Sequence, residues 1–351
     1  MTVTLTELYE ITGSAHIHST YSDGTWDIPE IARTADEVGL DFLLFSDHQT
    51  LQPKKDGLEG YYGKTLALIG YETSDRRDIN HYLIFQLNEV VKGLSPAEYV
   101  PEAARQNGLG FIAHPMEKRY KQIEYPPYPW KDWNVEEYDG IEIWNQLSEW
   151  MDGLTKWNKL YRFIHPLHST NSPPPEALEK WDEIARRRKI IGISGIDAHS
   201  FEVKVLNLFK VKIFHYKVML KSLRNHLLIE EPFPRDDFRK AEKLVYEALR
   251  DARLFFSNHR RGDARGFRFW AESEGNTFQM GESLNTSKAV FKVKSPQTAE
   301  LSLFSNGRLI SKTLGDYLEC ESGEPGVYRV EARRSGHPWI FSNHIYFRTL
   351  C

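Results

Sequence analysis

The chain has 351 residues, of which 40% are hydrophobic and 27% are charged, and its formal net charge is −4. This length allows one large domain and a smaller one, and the lack of a basic block argues against a nucleic-acid partner. The two cysteines, Cys320 and Cys351, support neither a disulfide framework nor a cysteine zinc site. The sequence shows neither a signal-peptide pattern nor an apolar run of about 18 residues, so we expect a cytoplasmic protein without a membrane partner.

Short apolar strands alternate with helices through the first two-thirds of the sequence. Strands are predicted at 14–18, 42–45, 66–69, 81–87, 110–113, 140–144, 190–196 and 254–258, and helices at 28–38, 95–106, 150–164, 175–188 and 239–253. Such an alternation is typical of parallel strands covered by helices. We therefore predict a large α/β domain at residues 1–262.

The pattern changes after Gly262, where helical periodicity ends. Short alternating runs at 266–271, 289–293, 300–304, 328–332 and 340–346 are separated by turn signals such as Asn306-Gly307 and Pro325-Gly326. These runs predict a small all-β sandwich domain of about ninety residues, at 263–351.

Two pairs of ligand-type residues stand out near the ends of predicted strands. His16 and His18 are two residues apart in a strand, so their side chains point to the same face, and Asp23 follows in the next loop. Asp197 and His199 repeat this spacing after the apolar run at 190–196. Two such pairs far apart in the chain are hard to explain by core packing and indicate a metal site.

Further residues of the ligand type follow other apolar strands, namely His48, Glu72 and His114. Imidazole and carboxylate without thiolate suit zinc, manganese or iron. Eight such residues exceed the needs of one tetrahedral site, so we expect two or three divalent transition metals as cofactors. Two metals bridged by a hydroxide can generate a nucleophile near neutral pH and clamp a phosphoryl oxygen.

Two residues are predicted to have a catalytic role. If the strands at 66–73 and 81–87 form a hairpin, His81 lies beside Glu72, where it could protonate a leaving group. His81 could instead be an ordinary strand histidine. Asp23 is predicted to be both a ligand and catalytic, and its alternative role is that of a turn residue before Gly24.

Three residues are predicted to contact the substrate. Lys118 and Arg119 directly follow His114-Pro115 and could hold a phosphate oxygen, although basic residues often form only a solvated face. Asn145 and Glu142 lie at a strand end, where they could line the pocket or be satisfied by core hydrogen bonds.

The ordered motifs resemble those of a known family. His16-x-His18-Ser-x-x-Ser-Asp23-Gly, Ser46-Asp-His48, His114-Pro115 and Asp197-x-His199 are similar to the four motifs of the polymerase and histidinol phosphatase (PHP) family, over residues 13 to 260. The resemblance implies a distorted (β/α)7 barrel and a metal-dependent phosphoesterase. It also implies that His16, His18, Glu72 and Asp197 hold one metal, that Asp23, His48 and His199 hold the second or third, that His114 completes a third site, and that Glu72 bridges two metals.

The C-terminal region resembles that of a PHP branch that includes carbamate-ester hydrolases. The similar segments are Gly262-Asp-Ala-Arg-Gly-Phe-Arg-Phe, Met280-Gly-Glu and Pro338-Trp-Ile-Phe-Ser-Asn343. We therefore expect a phosphoesterase that cleaves a small-molecule phosphate mono- or diester by attack of a metal-bridging hydroxide. The alternatives are a carboxyl-ester or carbamate hydrolase on the same metals, and a non-catalytic metal-binding protein. A homo-oligomer is left open.

Overall fold

The computed structural model of the protein describes residues 8–119, 126–155, 157–200, 202–205, 209–212 and 214–348. The chain divides into two compact units. We call Gly13–Ala177 with Ile193–Arg224 the α/β unit, and Met1–Thr12 with Leu178–Gly192 and Asn225–Cys351 the β-rich unit.

The strands up to residue 212 carry most of the α/β unit. They are β1 (Tyr9–Ile17), β2 (Phe42–Phe45), β3 (Gly60–Tyr62), β4 (Thr65–Ile69), β5 (Tyr71–Thr73), β6 (Tyr82–Phe85), β7 (Leu109–Ile112), β8 (Gly140–Asn145), β9 (Ile191–Gly195), β10 (Glu202–Val205) and β11 (Phe209–Lys212). Strands β1, β2 and β4 pair in parallel, and β3 pairs antiparallel with β4. A second sheet has the order β5-β6-β7-β8-β9, and β10 and β11 form a separate pair. The predicted hairpin is confirmed, since β5 and β6 pair antiparallel.

The helices of the described residues mostly follow the strands, as predicted. They are α1 (Ile28–Glu37), α2 (Gln52–Lys55), α3 (Pro96–Arg105), α4 (Gln146–Asp152), α5 (Lys159–Ile164), α6 (Pro175–Ala185), α7 (Tyr216–Met219) and α8 (Phe238–Arg250), with short 3-10 turns at Pro166–Ser169 and His259–Arg261. Asp27 caps α1 by accepting from the backbone N–H of Glu30 at 2.7 Å, and Pro29 lies in the first turn. No helix among the described residues is long and apolar enough to cross a membrane.

The β-rich unit is built from the later strands. They are β12 (Leu223–Ile229), β13 (Leu254–Asn258), β14 (Arg268–Ser273), β15 (Asn276–Gln279), β16 (Ser283–Asn285), β17 (Ala289–Ser305), β18 (Arg308–Ser322), β19 (Gly326–Arg334), β20 (His337–Ser342) and β21 (Ile345–Arg348). Their order is β15-β14-β17-β19-β20-β13-β12, with β18 on β17 and with β21 between β16 and β19. One apolar core includes Leu228, Phe255, Phe269, Leu301 and Trp339.

The mixed α/β architecture with an all-β C-terminal region is confirmed. The single helix predicted at 150–164 is wrong, because the chain leaves the helical conformation at Gly153 and forms α4 and α5 instead. The two runs predicted at 289–293 and 300–304 are one long strand, β17, with an irregular register between Lys294 and Ala299. The domain boundary between residues 262 and 263 stays a prediction.

Candidate metal centre

The first histidine pair lies where β1 ends. His16 and His18 are both fully buried, and their ring centroids are 5.2 Å apart. The pairing of β1 with β2 shifts register between Ala15 and Ile17, and His16 has a φ of 63°. The two imidazoles therefore lie together, as the i, i+2 spacing predicted, although the strand is irregular at this point.

Glu72 is the central carboxylate of the α/β unit. Its Oε2 lies 3.1 Å from His16 Nε2, 3.2 Å from His18 Nε2 and 3.5 Å from His48 Nδ1. Its Oε1 lies 2.6 Å from His81 Nδ1 and 3.4 Å from His114 Nε2. Five imidazoles from four different strand ends thus surround one buried carboxylate, as the hairpin argument predicted for His81.

Two further carboxylates complete the cluster. Asp197 Oδ1 lies 3.5 Å from His16 Nε2 and 3.4 Å from His199 Nδ1. Asp23 is half exposed, and its Oδ1 lies 3.2 Å from His199 Nε2, while its Oδ2 lies 3.7 Å from His48 Nε2. Asp23 therefore lies on the solvent side of the cluster and Asp197 on the buried side.

These residues form overlapping groups with the geometry of metal sites. Within each group the ligand atoms lie within 4.8 Å of one another, and the groups are His18, Asp23, His48 and His199; His16, His18 and Glu72; His16, His114 and Asp197; and Glu72, His81 and His114. All eight predicted ligands are included, together with His81. Their roles as ligands stay predictions, but the structure brings every one of them to the same place.

The donor set fits divalent metal ions. Both ring nitrogens of His18 and Nδ1 of His114 are buried without a hydrogen-bond partner. An unpaired buried polar atom is costly, and a cation at the cluster would satisfy the nitrogens that face it. Nitrogen and carboxylate donors without sulfur suit zinc, manganese or iron.

The protonation states reflect the dense packing of charges. Burial would raise the pKa of Glu72, but His16, His81 and His48 outweigh it and hold this pKa well below its usual value. Burial and the neighbouring His199 lower the pKa of His18 to about 3, so this imidazole is neutral at pH 7. A neutral imidazole is the form that binds a metal.

Backbone strain is concentrated in the same residues. His16, His114 and Asp197 have φ values of 63°, 27° and 51°, in the region that non-glycine residues rarely adopt. Each such residue costs on the order of 1–3 kcal/mol and persists only where the surroundings enforce it. Strain at three predicted ligands is typical of a functional site.

Glu142 is a buried carboxylate of the cluster whose contacts the sequence did not define. Its Oε1 accepts from His16 Nδ1 at 2.9 Å, and its Oε2 accepts from the backbone N–H of His114 at 2.7 Å and from Asn145 Nδ2 at 2.9 Å. Gly195 leaves the space for it, because a Cβ there would lie 1.6 Å from Glu142 Oε1. A carboxylate on the far nitrogen of a ligating histidine fixes the orientation of its ring.

Asp47 has a comparable role on the loop that carries Asp23. Its carboxylate accepts from the backbone N–H and the hydroxyl of Ser19, both at 2.7 Å, and from the Ser22 hydroxyl at 2.6 Å. The sequence feature that could have indicated this role is the position of Asp47 directly before His48 in the motif Ser46-Asp-His48. From the sequence, only His48 of this motif is predicted to have a role.

The three residues predicted to contact the substrate lie in three different environments. Asn145 lies inside the cluster, with Nδ2 3.3 Å from Asp197 Oδ2. Lys118 is exposed, and its Nζ forms an ion pair with Glu176. Arg119 is partly buried, pairs with Glu117 at 2.7 Å, and stacks over the ring of Tyr128.

Tyr128 connects this group to the cluster, because its ring centroid lies 5.0 Å from that of His81. It belongs to the aromatic, proline-rich segment 120–133, of which residues 120–125 lie outside the described part of the chain. A wall of the site beside His81 is therefore aromatic.

No protein-family model matches the sequence, and no curated protein matches it. Solved structures are similar at low identity. A two-domain protein from Bacteroides vulgatus, described as containing a predicted PHP-like metal-dependent phosphoesterase, is 14% identical with a TM-score of 0.46, over 98% of this chain and 97% of its own. A candidate metal-dependent phosphoesterase from Bifidobacterium adolescentis is 14% identical with a TM-score of 0.36, over 53% of this chain and 87% of its own.

An amidohydrolase from Chromobacterium violaceum is 12% identical with a TM-score of 0.31, over 53% of this chain and 87% of its own. Likeness at these scores carries no functional weight by itself. Any inference about function therefore rests on the ordered sequence motifs and on the geometry of the cluster.

Proposed function

We propose that this protein is a metal-dependent hydrolase of the PHP family that cleaves a phosphate mono- or diester of a small molecule. The observation that carries this proposal is the gathering of eight imidazole and carboxylate ligands around Glu72. They come from separate strand ends and follow the chain order of the family's motifs. A site that had lost its activity, or that had only a structural role, would not need to keep all eight of these ligands.

The residues that would hold the metals are those of the overlapping groups. They are His16, His18, Asp23, His48, Glu72, His114, Asp197 and His199. Two or three zinc, manganese or iron ions bound there would activate water near neutral pH and neutralise the charge that develops on the ester oxygens.

His81 is suited to donate a proton to the leaving oxygen. Burial would lower its pKa, but Glu72 and Asp78 outweigh this and raise the pKa to about 10, so the ring is protonated at neutral pH. Its Nδ1 is held by Glu72 at 2.6 Å, and its Nε2 lies 3.5 Å from Asp78 Oδ1. Asp78 is exposed, so the Nε2 side of the ring faces the more open end of the site.

The second candidate is hydrolysis of a carboxyl ester or carbamate on the same metals. One observation favours it: the two predicted phosphate-binding cations already have carboxylate partners. Lys118 pairs with Glu176 and Arg119 with Glu117. The aromatic wall at Tyr128 would suit a neutral ester, whereas a phosphate would depend on the metals for charge neutralisation.

We also infer that seven strands of the α/β unit close into a distorted barrel. Backbone hydrogen bonds at two places support the closure. Ile196 N–H donates to Ala15 O at 3.0 Å, which joins the end of β9 to β1, and Glu72 N–H donates to Asp47 O at 3.2 Å, which joins β5 to the end of β2. In such a barrel the active site is built at the carboxyl ends of the strands, where the ligands lie.

A substrate panel tests the proposal. Protein stripped with a chelator and reloaded with manganese or zinc is assayed on phosphate monoesters, phosphate diesters, aryl esters and aryl carbamates. We expect hydrolysis of phosphoesters that the Asp197→Asn variant lacks. Activity on the aryl esters or carbamates alone would favour the second candidate, and inactivity on the whole panel with metal bound would favour a non-catalytic metal-binding protein.

A further inference from the structure

A cavity of about 320 Å³ lies within the α/β unit, beside the connection between β5 and β6, and we call it the β5–β6 cavity. Its lining includes three cationic residues, Arg76, Arg77 and Lys131, and two carboxylates, Asp75 and Asp132. None of these five residues belongs to the metal centre. The volume is in the range of sites that bind small molecules.

The walls of the β5–β6 cavity are held together by buried polar side chains. The buried carboxylate of Asp75 accepts from the backbone N–H groups of Arg77 at 2.9 Å and Ile79 at 3.0 Å, and from Asn80 Nδ2 at 2.8 Å. Asn80 is also buried, and its Oδ1 accepts from the backbone N–H of Lys131 at 2.6 Å. The cavity is therefore already formed before a ligand enters it, which lowers the cost of binding.

The charge of the lining favours an anion. Three cations and two carboxylates give it a formal charge of +1. The carboxylate of Asp75 is used by its backbone and amide donors and by Arg77, whose Nη2 lies 3.6 Å from Oδ2. The side chains of Arg76 and Lys131 are exposed and form no ion pair or hydrogen bond with any other residue that the structure describes. They can therefore donate to an oxyanion without first leaving a carboxylate partner.

The β5–β6 cavity lies close to the metal centre along the chain. Asp75 is three residues after Glu72, so their Cα atoms are at most about 11 Å apart. At the other end of the connection, Asn80 directly precedes His81. One small molecule can therefore reach from the metal centre to this cavity.

We propose that the β5–β6 cavity binds an oxyanion, the chemistry that carboxylate and phosphate groups share. The preformed cavity with two cations that lack a carboxylate partner is the observation that carries this proposal. The anion is either a second charged group of the substrate or a free anion. Only the first of these sources rests on the proposed hydrolysis. In that case the cavity selects esters that carry a negative charge away from the bond that is cleaved.

Binding of radiolabelled inorganic sulfate to the full, metal-loaded chain tests the site without using activity. Equilibrium dialysis counts the sulfate ions bound per chain. We expect the Arg76→Ala/Lys131→Ala double variant to bind one sulfate fewer than the parent, because it removes the two cations without a partner.

Arg33→Ala/Lys221→Ala is the matched control, since it removes one exposed arginine and one exposed lysine elsewhere in the α/β unit. It should bind as many sulfate ions as the parent. The proposal is overturned if the parent and the Arg76→Ala/Lys131→Ala variant bind equal numbers of sulfate ions, or if the control loses as many as that variant.

Kinetics distinguishes the two sources of the anion. The substrates are phosphate esters of ω-hydroxy carboxylic acids and, for comparison, phosphate esters of simple alcohols of the same chain lengths. If the substrate carries the anion, the parent should show kcat/KM about tenfold higher for the carboxylate-bearing ester at the best length, the effect of one charge-assisted hydrogen bond. This ratio should fall to about one in Arg76→Ala/Lys131→Ala.

A ratio of about one in the parent at every chain length, with the additional sulfate bound, would assign the cavity to a free anion. If no ester were hydrolysed while the additional sulfate still bound, the proposed phosphoesterase would be contradicted and the anion site would stand.

Discussion

At the scale of single residues, Glu142 holds three members of the metal centre in one arrangement. It binds the far nitrogen of His16, the backbone of His114 and the amide of Asn145. A glutamate side chain has two acceptor oxygens, and here both are used by these three donors. Its contribution is therefore to orient ligands rather than to touch the metal.

We predict that Glu142→Gln lowers metal affinity about 10- to 100-fold, the range for lost partners of ligating histidines. The amide group cannot accept on its nitrogen, so either His16 or the His114 backbone loses its partner. Competition with a chromogenic chelator measures the affinity.

Glu149→Gln is the control for this substitution, since Glu149 is a partly buried carboxylate with three donors that contacts none of the predicted ligands. Its metal affinity should equal that of the parent. Equal losses in both variants would mean that Glu142 acts only on folding.

For His81 we predict a dependence on the leaving group. His81→Ala should slow turnover of esters of alkyl alcohols much more than of nitrophenyl esters, because nitrophenolate departs without protonation. Steady-state kinetics on both substrate types measures the ratio. A uniform loss would show that His81 is a ligand or a structural residue.

Glu149 gives a prediction about pH and stability. Burial raises the pKa of the Glu149 carboxyl from its usual value of about 4.5 to about 7. The folded protein then holds this proton more tightly than the unfolded chain does. The free energy of unfolding should therefore fall as the pH rises from about 4.5 to about 7, by up to about 3 kcal/mol, and this contribution should level off above pH 7.

Chemical denaturation at several pH values, in the parent and in Glu149→Gln, measures this contribution. Glutamine offers one acceptor oxygen in place of two at every pH, so either Trp144 Nε1 or the backbone N–H groups of Asn171 and Ser172 lose an acceptor. The comparison therefore concerns the slope and not the absolute stability. The slope between pH 5 and 7 should be smaller in the variant. Identical slopes would place the titration in other groups, such as Asp152, whose pKa burial also raises to about 7.

Much of the site could be predicted from the sequence, because its ligands share a local signal. His48, His114 and Asp197 each follow an apolar strand directly, so their place at a strand end is visible in a short window. The roles of Glu142 and Asp47 could not be predicted, because they depend on which donors other segments bring to these carboxylates. Nor does a short window reveal that Lys118 and Arg119 already have carboxylate partners.

At the scale of elements, α6 and β19 are joined by a buried ion pair within the β-rich unit. Arg329 donates from Nε and Nη2 to the two oxygens of Asp182, at 2.8 and 2.9 Å, and His344 Nε2 lies 2.8 Å from the same carboxylate. Burial opposes ionisation of Asp182, but His344 and Arg329 hold its pKa below the usual range. The pair therefore stays charged at neutral pH.

We predict that Asp182→Asn lowers the free energy of unfolding by up to about 3–5 kcal/mol, because the buried Arg329 guanidinium then keeps only Glu331 as a counter-charge. Denaturation with urea measures the change. Glu183→Gln, one residue along α6, removes a partly exposed partner of Lys180 and should cost less than about 1 kcal/mol. If the two variants were equally stable, the buried pair would have no special role.

Helices and strands whose ends are marked by capping or turn residues could be predicted from the sequence. Strands that form only because they pair with a segment far away in the chain could not. Asp27, Pro29 and Gly39 define α1 within a few residues of the prediction. By contrast, β12 and β18 were missed. The exposed side chains of β18 have no apolar alternation, and this strand exists because it pairs along the length of β17.

At the scale of the molecule, the β-rich unit is built from three segments of the chain and the α/β unit from two. Leu178–Gly192 and Asn225–Asn258 precede the predicted boundary, yet they belong to the β-rich unit. Within that unit β13 pairs with β20, and Asn343 Nδ2 donates to Gly192 O at 2.8 Å. Pairing between segments so far apart leaves no signal in a short stretch of sequence. The sequence therefore indicated only one domain boundary, at the change from helical periodicity to short alternating runs near Gly262.

The central claim is that the eight gathered side chains bind catalytic metals. Anomalous diffraction from crystals of the metal-loaded protein, recorded at the absorption edges of zinc, manganese and iron, tests it most directly. We predict two or three anomalous peaks, with Glu72 in contact with two of them, among the side chains of His16, His18, Asp23, His48, Glu72, His114, Asp197 and His199. Crystals of active, metal-loaded protein with no peak at this cluster, or with peaks only elsewhere, would contradict it.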